Sequence, residues 1–414
     1  MSPAVEGARP PVLPHAERFG RRVRRLWALE PESIYLNHGT VGAPPRRVLE
    51  AQQAIRDEIE RHPSRFMLRE LSAIRFGVHT RPIPRLREAA TEVAAFVGAE
   101  PCDLVFVDNA TTGANAVLRS LPLERGDEIV IADHAYGAVA RTAQYVARER
   151  GATVRVVELP WPPRPAAVVE AFEGAITPRT RLAIVDHVTS ESALILPLAE
   201  VAARCHARGV PVLADGAHAP GALELDVPAL GVDWYAANLH KWAWAPRSSG
   251  FLWAQRERQA GLHPAVISWG LDQGFTVEFD WVGTRDPSPW LAAPAAIAYL
   301  RELGEAEVRA YDHALAWEGA RWLAGRWGTE FEVPEEMIGT MATLRLPAIL
   351  GSTREDADRV RDALLFEQHI EVQIHAWRER LWVRVSGQIY NDFPEIEQLA
   401  AAVNEQVAAA PKGA

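Results

Sequence analysis

The apolar run Val212-Leu-Ala ends in Asp215 and passes through a glycine to His218. In a sheet of parallel strands the carboxyl ends face the ligand crevice, so an acid at that position is available for chemistry. Asp215 could bind a metal, act as a base or pair with a cationic heterocycle; it could equally cap a helix. Lys241 lies 26 residues further on, in Asn238-Leu-His240-Lys241-Trp242, an otherwise hydrophobic stretch that also holds Trp244. Desolvation makes a charged ammonium costly there. Snorkelling or an ion pair would relieve that cost, whereas an amine of lowered pKa suits Schiff-base formation. A pyridinium nitrogen requires an acidic partner, which Asp215 could supply, so two residues in the right order meet two demands of one cofactor type.

Two more segments fit that chemistry. In Val107-Asp-Asn-Ala110-Thr111-Thr112-Gly113-Ala-Asn115 a strand-like run opens into small and hydroxylated residues that start a helix. Helix N-termini present unbonded N–H groups and a positive dipole end, which makes such a segment a phosphate cradle. Without a ligand it is simply a capped helix, and it lacks the Gly-Lys-Ser/Thr ending of a Walker loop. In Val383-Arg384-Val-Ser386-Gly-Gln-Ile-Tyr390-Asn391, Arg384 ends a short strand, where it could clamp a carboxylate with two parallel hydrogen bonds. A surface arginine would look the same in sequence, so Arg384 is read together with the other three segments.

The elements that must hold these residues alternate. Strand-like runs fall at 104–107, 128–132, 154–158, 182–188, 211–214, 234–237 and 250–253, with helical stretches at 110–120, 139–150, 166–175 and 198–208 between the first five. Such alternation predicts a mostly parallel seven-stranded sheet with helices on both faces. The runs are continuously apolar, as strands buried on both faces require. From about residue 290 the pattern becomes α+β. One long helical segment at 290–327 precedes short strands near 343–346, 371–374 and 381–385, a helix at 356–368 and a terminal helix from Pro394. The expected organisation is an N-terminal tail and helix over 1–34, a large domain over 35–299 and a smaller α+β domain over 300–414.

The 414 residues carry a net charge of −10, which argues against a nucleic-acid footprint; the basic run at 21–25 reads as the solvated face of an N-terminal helix. Two cysteines, Cys102 and Cys205, make a disulfide framework improbable and point to a cytoplasmic protein. Residues 1–14 are rich in proline and alanine and read as disordered, and the apolar runs are too short to span a bilayer. Fourteen tryptophans are many for this length; Trp234, Trp242, Trp244, Trp253, Trp269 and Trp281 suggest a large aromatic core or pocket.

A phosphate cradle, a strand-end Asp, a Lys after a His and a late Arg, in this order from Tyr35 to about Asn391, resemble the class V aminotransferases. These are pyridoxal-phosphate enzymes of the aspartate-aminotransferase fold (fold type I), related to cysteine desulfurases and kynureninases. Tyr35-Leu-Asn37-His38-Gly-Thr-Val-Gly42, Asn238-Leu-His-Lys-Trp242 and Gly283-Thr284-Arg285-Asp286 look most like the isopenicillin-N-epimerase-like branch. The resemblance implies that Lys241 binds the cofactor and shuttles the α-proton, that Asp215 holds the pyridine nitrogen protonated, and that His218 sits near the ring hydroxyl. It implies phosphate contacts from Ala110, Thr111, Thr112 and His240, with Asn238 nearby. His134, in Ala132-Asp-His134-Ala-Tyr136, would stack on the ring, with Tyr136 as its rival. Ser190, in His187-Val-Thr-Ser190, would lie beside the ring hydroxyl. Thr284 would reach the phosphate of the neighbouring subunit, implying a homodimer with shared sites. Arg384 would hold the substrate carboxylate, with Asn37 and His38 as further substrate contacts.

Cysteine desulfurases carry a nucleophilic Cys shortly before the late Arg; here Ile370-Glu-Val-Gln-Ile-His375-Ala-Trp377-Arg378 has none. Persulfide chemistry is therefore disfavoured. Epimerisation or β-elimination at the α-carbon of an amino acid or amino-acid-derived substrate is expected first, with transamination as the alternative. A non-catalytic protein retaining the fold would predict no bound chromophore. A metal hydrolase would need a ligand cluster around Asp215, His218 and His240, and no metal set is read from the sequence. A Rossmann dehydrogenase would need a G-x-G-x-x-G turn after a strand, which is absent.

Overall fold

The structure, a computed structural model, describes residues 11–74 and 76–410. Most of the N-terminal segment read as disordered, residues 1–10, lies outside the described residues; just beyond it, Leu13 is buried. The chain divides into two compact units. The larger comprises Pro44–Thr189 and Leu196–Glu302; the smaller comprises the residues up to Ala43, Ser190–Ile195 and Leu303 onward.

The larger unit is built on seven strands: β1 (Leu104–Val107), β2 (Glu128–Ala132), β3 (Thr153–Val157), β4 (Thr180–Asp186), β5 (Val212–Gly216), β6 (Trp234–Asn238) and β7 (Gly250–Ala254). Their order across the sheet is β1-β7-β6-β5-β4-β2-β3. The pairs β2–β3, β2–β4, β4–β5 and β5–β6 are parallel, and β7 runs antiparallel to β1 and β6. Helices α1 (Ala110–Ser120), α2 (Gly137–Arg150), α3 (Pro165–Ala175) and α4 (Leu198–His206) supply the crossovers from β1 through β5. The mostly parallel α/β sheet expected from the alternation is present.

The central strands are buried along their length because helices cover them. β3 departs from that expectation: it is an edge strand, and Thr153, Arg155 and Val156 are exposed. Gly113 lets α1 lie close on β6, since a Cβ there would stand 2.9 Å from the Cβ of Ala236. That contact fixes the height of the α1 N-terminus over the sheet. Of the six tryptophans grouped in the sequence, Trp234, Trp242, Trp244, Trp253 and Trp281 are buried, whereas Trp269 is 73% exposed and belongs to no core.

The smaller unit holds an antiparallel sheet of β8 (Met341–Arg345), β9 (Gln373–Trp377) and β10 (Arg380–Ser386) in the order β9-β10-β8. A short parallel ladder pairs Ile34–Tyr35 with Ile370–Glu371. Its helices are α5 (Glu305–Trp327), α6 (Arg354–Gln368) and α7 (Phe393–Ala409). Thr353 and Asp356 close a reciprocal capping box that starts α6.

Two local expectations are corrected. The segment at 290–327 is not one helix but Ser288–Leu291, Ala293–Leu303 and α5. Pro294 has no N–H to continue the first piece, and Gly304, at φ +87°, turns the chain before α5. The basic run at 21–25 forms a 3-10 turn, Arg21–Leu26, in which Arg24 is buried and pairs with Glu395 at 3.5 Å. Arg24 is an interior ion-pair partner, not part of a solvated face.

Candidate active site

In the larger unit, the carboxyl ends of β4, β5 and β6 bring the reactive side chains together. Asp215 is 4% exposed; its Oδ1 accepts the N–H of Ala217 at 3.0 Å, while Oδ2 is enclosed with no hydrogen-bond partner. Burial raises the Asp215 carboxyl above the usual carboxylate range, opposed by the Ala217 N–H and by Lys241. The loop after β6 returns Lys241 to this strand end, 8% exposed, with Nζ 3.0 Å from Nε2 of His218. An amine, an imidazole and a carboxylate with one unused oxygen thus meet where the larger unit's parallel strands end.

The Nδ1–H of His240 donates to the carbonyl of Ser249 at 3.1 Å, and burial, reinforced by Lys241, lowers the ring's pKa to about 4. His240 is therefore neutral near pH 7. Asn109 caps α1, its Oδ1 accepting the Thr112 N–H at 3.0 Å and the Thr112 hydroxyl at 3.2 Å. Asn238 Oδ1 accepts the Ala110 N–H at 2.8 Å. Asn238 and Ala110 thus fasten the helix start to the end of β6, and half-buried Thr111 and Thr112 occupy the first turn.

At the end of β2, the His134 side chain is 4% exposed, 3.8 Å from the Asp133 carboxylate and nearly parallel to the Trp161 ring (interplanar angle 21°). Tyr136 is 43% exposed, and its backbone N–H donates to Asp186 Oδ1 at 3.3 Å. The two rings thus differ in enclosure. Thr284 is exposed, next to Gly283 at φ +128°.

The smaller unit holds Arg384. Its Nη1 donates to the Ser190 carbonyl at 2.6 Å, and its Nη2 to the Thr40 hydroxyl at 2.7 Å and to Asn37 Oδ1 at 3.4 Å. Nε is enclosed without a partner. Burial lowers the guanidinium pKa to about 10, opposed by Glu191 and Tyr35, so it keeps its charge near neutrality. Ser190 meets this arginine through its main chain. His38 is fully enclosed, with Nδ1 2.8 Å from the Tyr390 hydroxyl.

Sequence reading missed Asp186, His187 and Tyr235. Asp186 is the register partner of Asp215 across β4 and β5, and His187 Nδ1 lies 2.8 Å from the Tyr235 hydroxyl. The signal was present: like Asp215, Asp186 ends an apolar run and is closely followed by a histidine.

Residues 45–355 match the family model described as Aminotransferase class-V. The chain belongs to that family. It is 34% identical to an isopenicillin N epimerase of Streptomyces clavuligerus, over 91% of this chain and 95% of the relative. A putative L-cysteine desulfhydrase 1 of Oryza sativa subsp. japonica is 33% identical over 90% of this chain and 83% of its own length. Among solved structures, the apo cysteine desulfurase from Thermococcus onnurineus NA1 aligns with a TM-score of 0.76 at 20% identity, covering 95% of this chain and 99% of that one. The last likeness establishes the fold. As a class V member the chain is an enzyme whose cofactor is pyridoxal phosphate. The residues present fit that group: the partnerless Asp215 Oδ2 is an acceptor suited to a ring N–H, beside a primary amine. Among the described residues, no helix is long and apolar enough to cross a membrane.

Proposed function

We propose that this enzyme removes the α-proton of an amino-acid substrate and then either returns it to the opposite face, giving epimerisation, or lets a β-substituent such as a thiol depart, giving elimination. The observation that carries this is the Lys241–His218 contact beside Asp215. When bound, pyridoxal phosphate supplies an electron sink for the pair left at the α-carbon. Lys241 would bind the cofactor and carry the α-proton, with His218 positioned to share it. Asp215 would keep the pyridine nitrogen protonated. Thr111, Thr112 and His240 would hold the phosphate, while Asn238 and Ala110 fix the helix start. His134 would cover the ring, with Tyr136 nearer solvent.

Arg384 would hold the substrate α-carboxylate through Nε, its donor without a protein partner, oriented by the Ser190 carbonyl and flanked by Asn37. The relatives named as epimerases and desulfhydrases support both outcomes at the α-carbon. Persulfide transfer is not proposed, because the 370–378 segment holds no cysteine, and burial pushes the Cys205 thiol up to about 12. Exposed Thr284 supports a homodimer in which it reaches a neighbour's phosphate, and the scarcity of cysteines supports a cytoplasmic location.

An amino-acid panel assayed for α-deuterium exchange, chiral inversion, pyruvate with ammonia, and keto-acid formation tests the reading. Exchange with inversion identifies an epimerase, and pyruvate with ammonia identifies a lyase. Keto acid alone, or none of the four signals, refutes it. Borohydride should attach the cofactor to Lys241 in the wild type and leave Lys241→Ala unlabelled by peptide mass spectrometry.

A further inference from the structure

The last residue of β4, Asp186, pairs in register with Asp215 of β5. Register partners on parallel strands project to the same side of a sheet, on backbones about 4.8 Å apart, so the two carboxyls are lateral neighbours. Asp186 is 2% exposed. In each acid Oδ1 accepts one backbone N–H, from Tyr136 for Asp186 and from Ala217 for Asp215. In each, Oδ2 is enclosed without a hydrogen-bond partner.

The surrounding elements contribute few charges. Lys241, itself in contact with His218, acts on Asp215, and Asp133 and His134 lie on the loop that Asp186 holds through Tyr136. His187, next in the chain, is bonded to the Tyr235 hydroxyl and held neutral by burial. Adjacent buried carboxyls cannot both ionise cheaply. Burial and the Asp215 charge together hold the Asp186 carboxyl well above the usual carboxylate range.

We infer that Asp186 is a positioning residue: a neutral carboxylic acid that leaves the single negative charge of the pair on Asp215 and ties the His134–Tyr136 loop to that strand end. This rests on Asp215 serving the cofactor's ring nitrogen. One pyridinium can neutralise one carboxylate; a second ionised acid would remain as uncompensated buried charge. The Tyr136 N–H bond couples the height of the loop carrying His134 to the strand carrying Asp186.

Two measurements test this. A wild type minus Asp186→Asn infrared difference spectrum of cofactor-free protein at neutral pH should show a protonated-carboxyl C=O band that shifts in D2O, which separates Asp186 from Asp312, another acid that burial holds protonated. Pyridoxal-phosphate titrations followed by tryptophan fluorescence should show Asp186→Ala binding tenfold or more weakly. Asp186→Asn should recover most of that loss, because an amide is neutral, of the same shape, and still accepts the Tyr136 N–H. A difference spectrum without that band overturns the inference, as does an asparagine variant that binds no better than the alanine one. The infrared comparison needs no cofactor, so it decides the state of Asp186 even if Asp186→Ala does not fold. A wild type that binds no pyridoxal phosphate strikes the proposed function instead.

Discussion

Asp215→Asn separates what the fold needs from what the cofactor needs. The hydrogen bond Asp215 makes within the protein, from the Ala217 N–H to Oδ1, survives because an asparagine carbonyl also accepts. Oδ2 has no protein partner, so the fold loses a desolvated charge there and no bond. The folded-state pKa of Asp215 is raised by burial. An acid raised in this way destabilises the folded state as pH climbs past its unfolded value near 3.9, with the full cost reached above the folded pKa. Cofactor-free Asp215→Asn should therefore match wild type near pH 4 and equal or exceed its stability at pH 8. Loaded protein should behave in the opposite sense. A hydrogen bond between charged partners contributes about 1.5–3 kcal/mol, so its loss should weaken cofactor binding roughly 10- to 150-fold. Urea melts of cofactor-free protein at pH 4, 6 and 8, paired with fluorescence titration of pyridoxal phosphate, read both effects. A cofactor-free variant clearly less stable than wild type at pH 8, or one with unchanged cofactor affinity, would refute the reasoning.

Arg384→Lys should raise KM for an amino-acid substrate about 10- to 100-fold, since an ammonium cannot reproduce the planar fork and one charge-assisted bond is worth about 1.5–3 kcal/mol; steady-state kinetics with unchanged KM would speak against the clamp. Gly216→Ala would drive a Cβ into the Tyr235 ring, with a stability loss of about 1–3 kcal/mol from overpacking, measurable as a lowered urea midpoint. His187 has a folded pKa lowered to about 4 by burial. Its contribution to stability is complete above the unfolded value near 6.5 and is lost as pH falls toward 4, at up to about 1.4 kcal/mol per pH unit. Urea midpoints at pH 7, 5.5 and 4.5 should fall more steeply for wild type than for His187→Asn.

Local sequence was enough to determine the alternation of strands and helices, because most strands of the larger sheet are short apolar runs bounded by turn residues. It also singled out Asp215 and Lys241 as candidates, since a lysine among tryptophans and an acid ending an apolar strand are each costly unless used. It did not reveal that Asp186 stands beside Asp215. They are 29 positions apart in sequence, and only the register of β4 against β5 makes them neighbours. Nor could it say that the His134 side chain is enclosed and Tyr136 exposed, two residues apart on one loop, because enclosure depends on what packs over them. Sequence did not show that β6 carries Asn238 to the Ala110 N–H, and it could not tell Arg384 from a surface arginine until Ser190, Thr40 and Asn37 were folded around its guanidinium. Apolar patterning is set residue by residue along the chain, whereas a buried charge takes its state from partners that only strand pairing and loop return bring within reach.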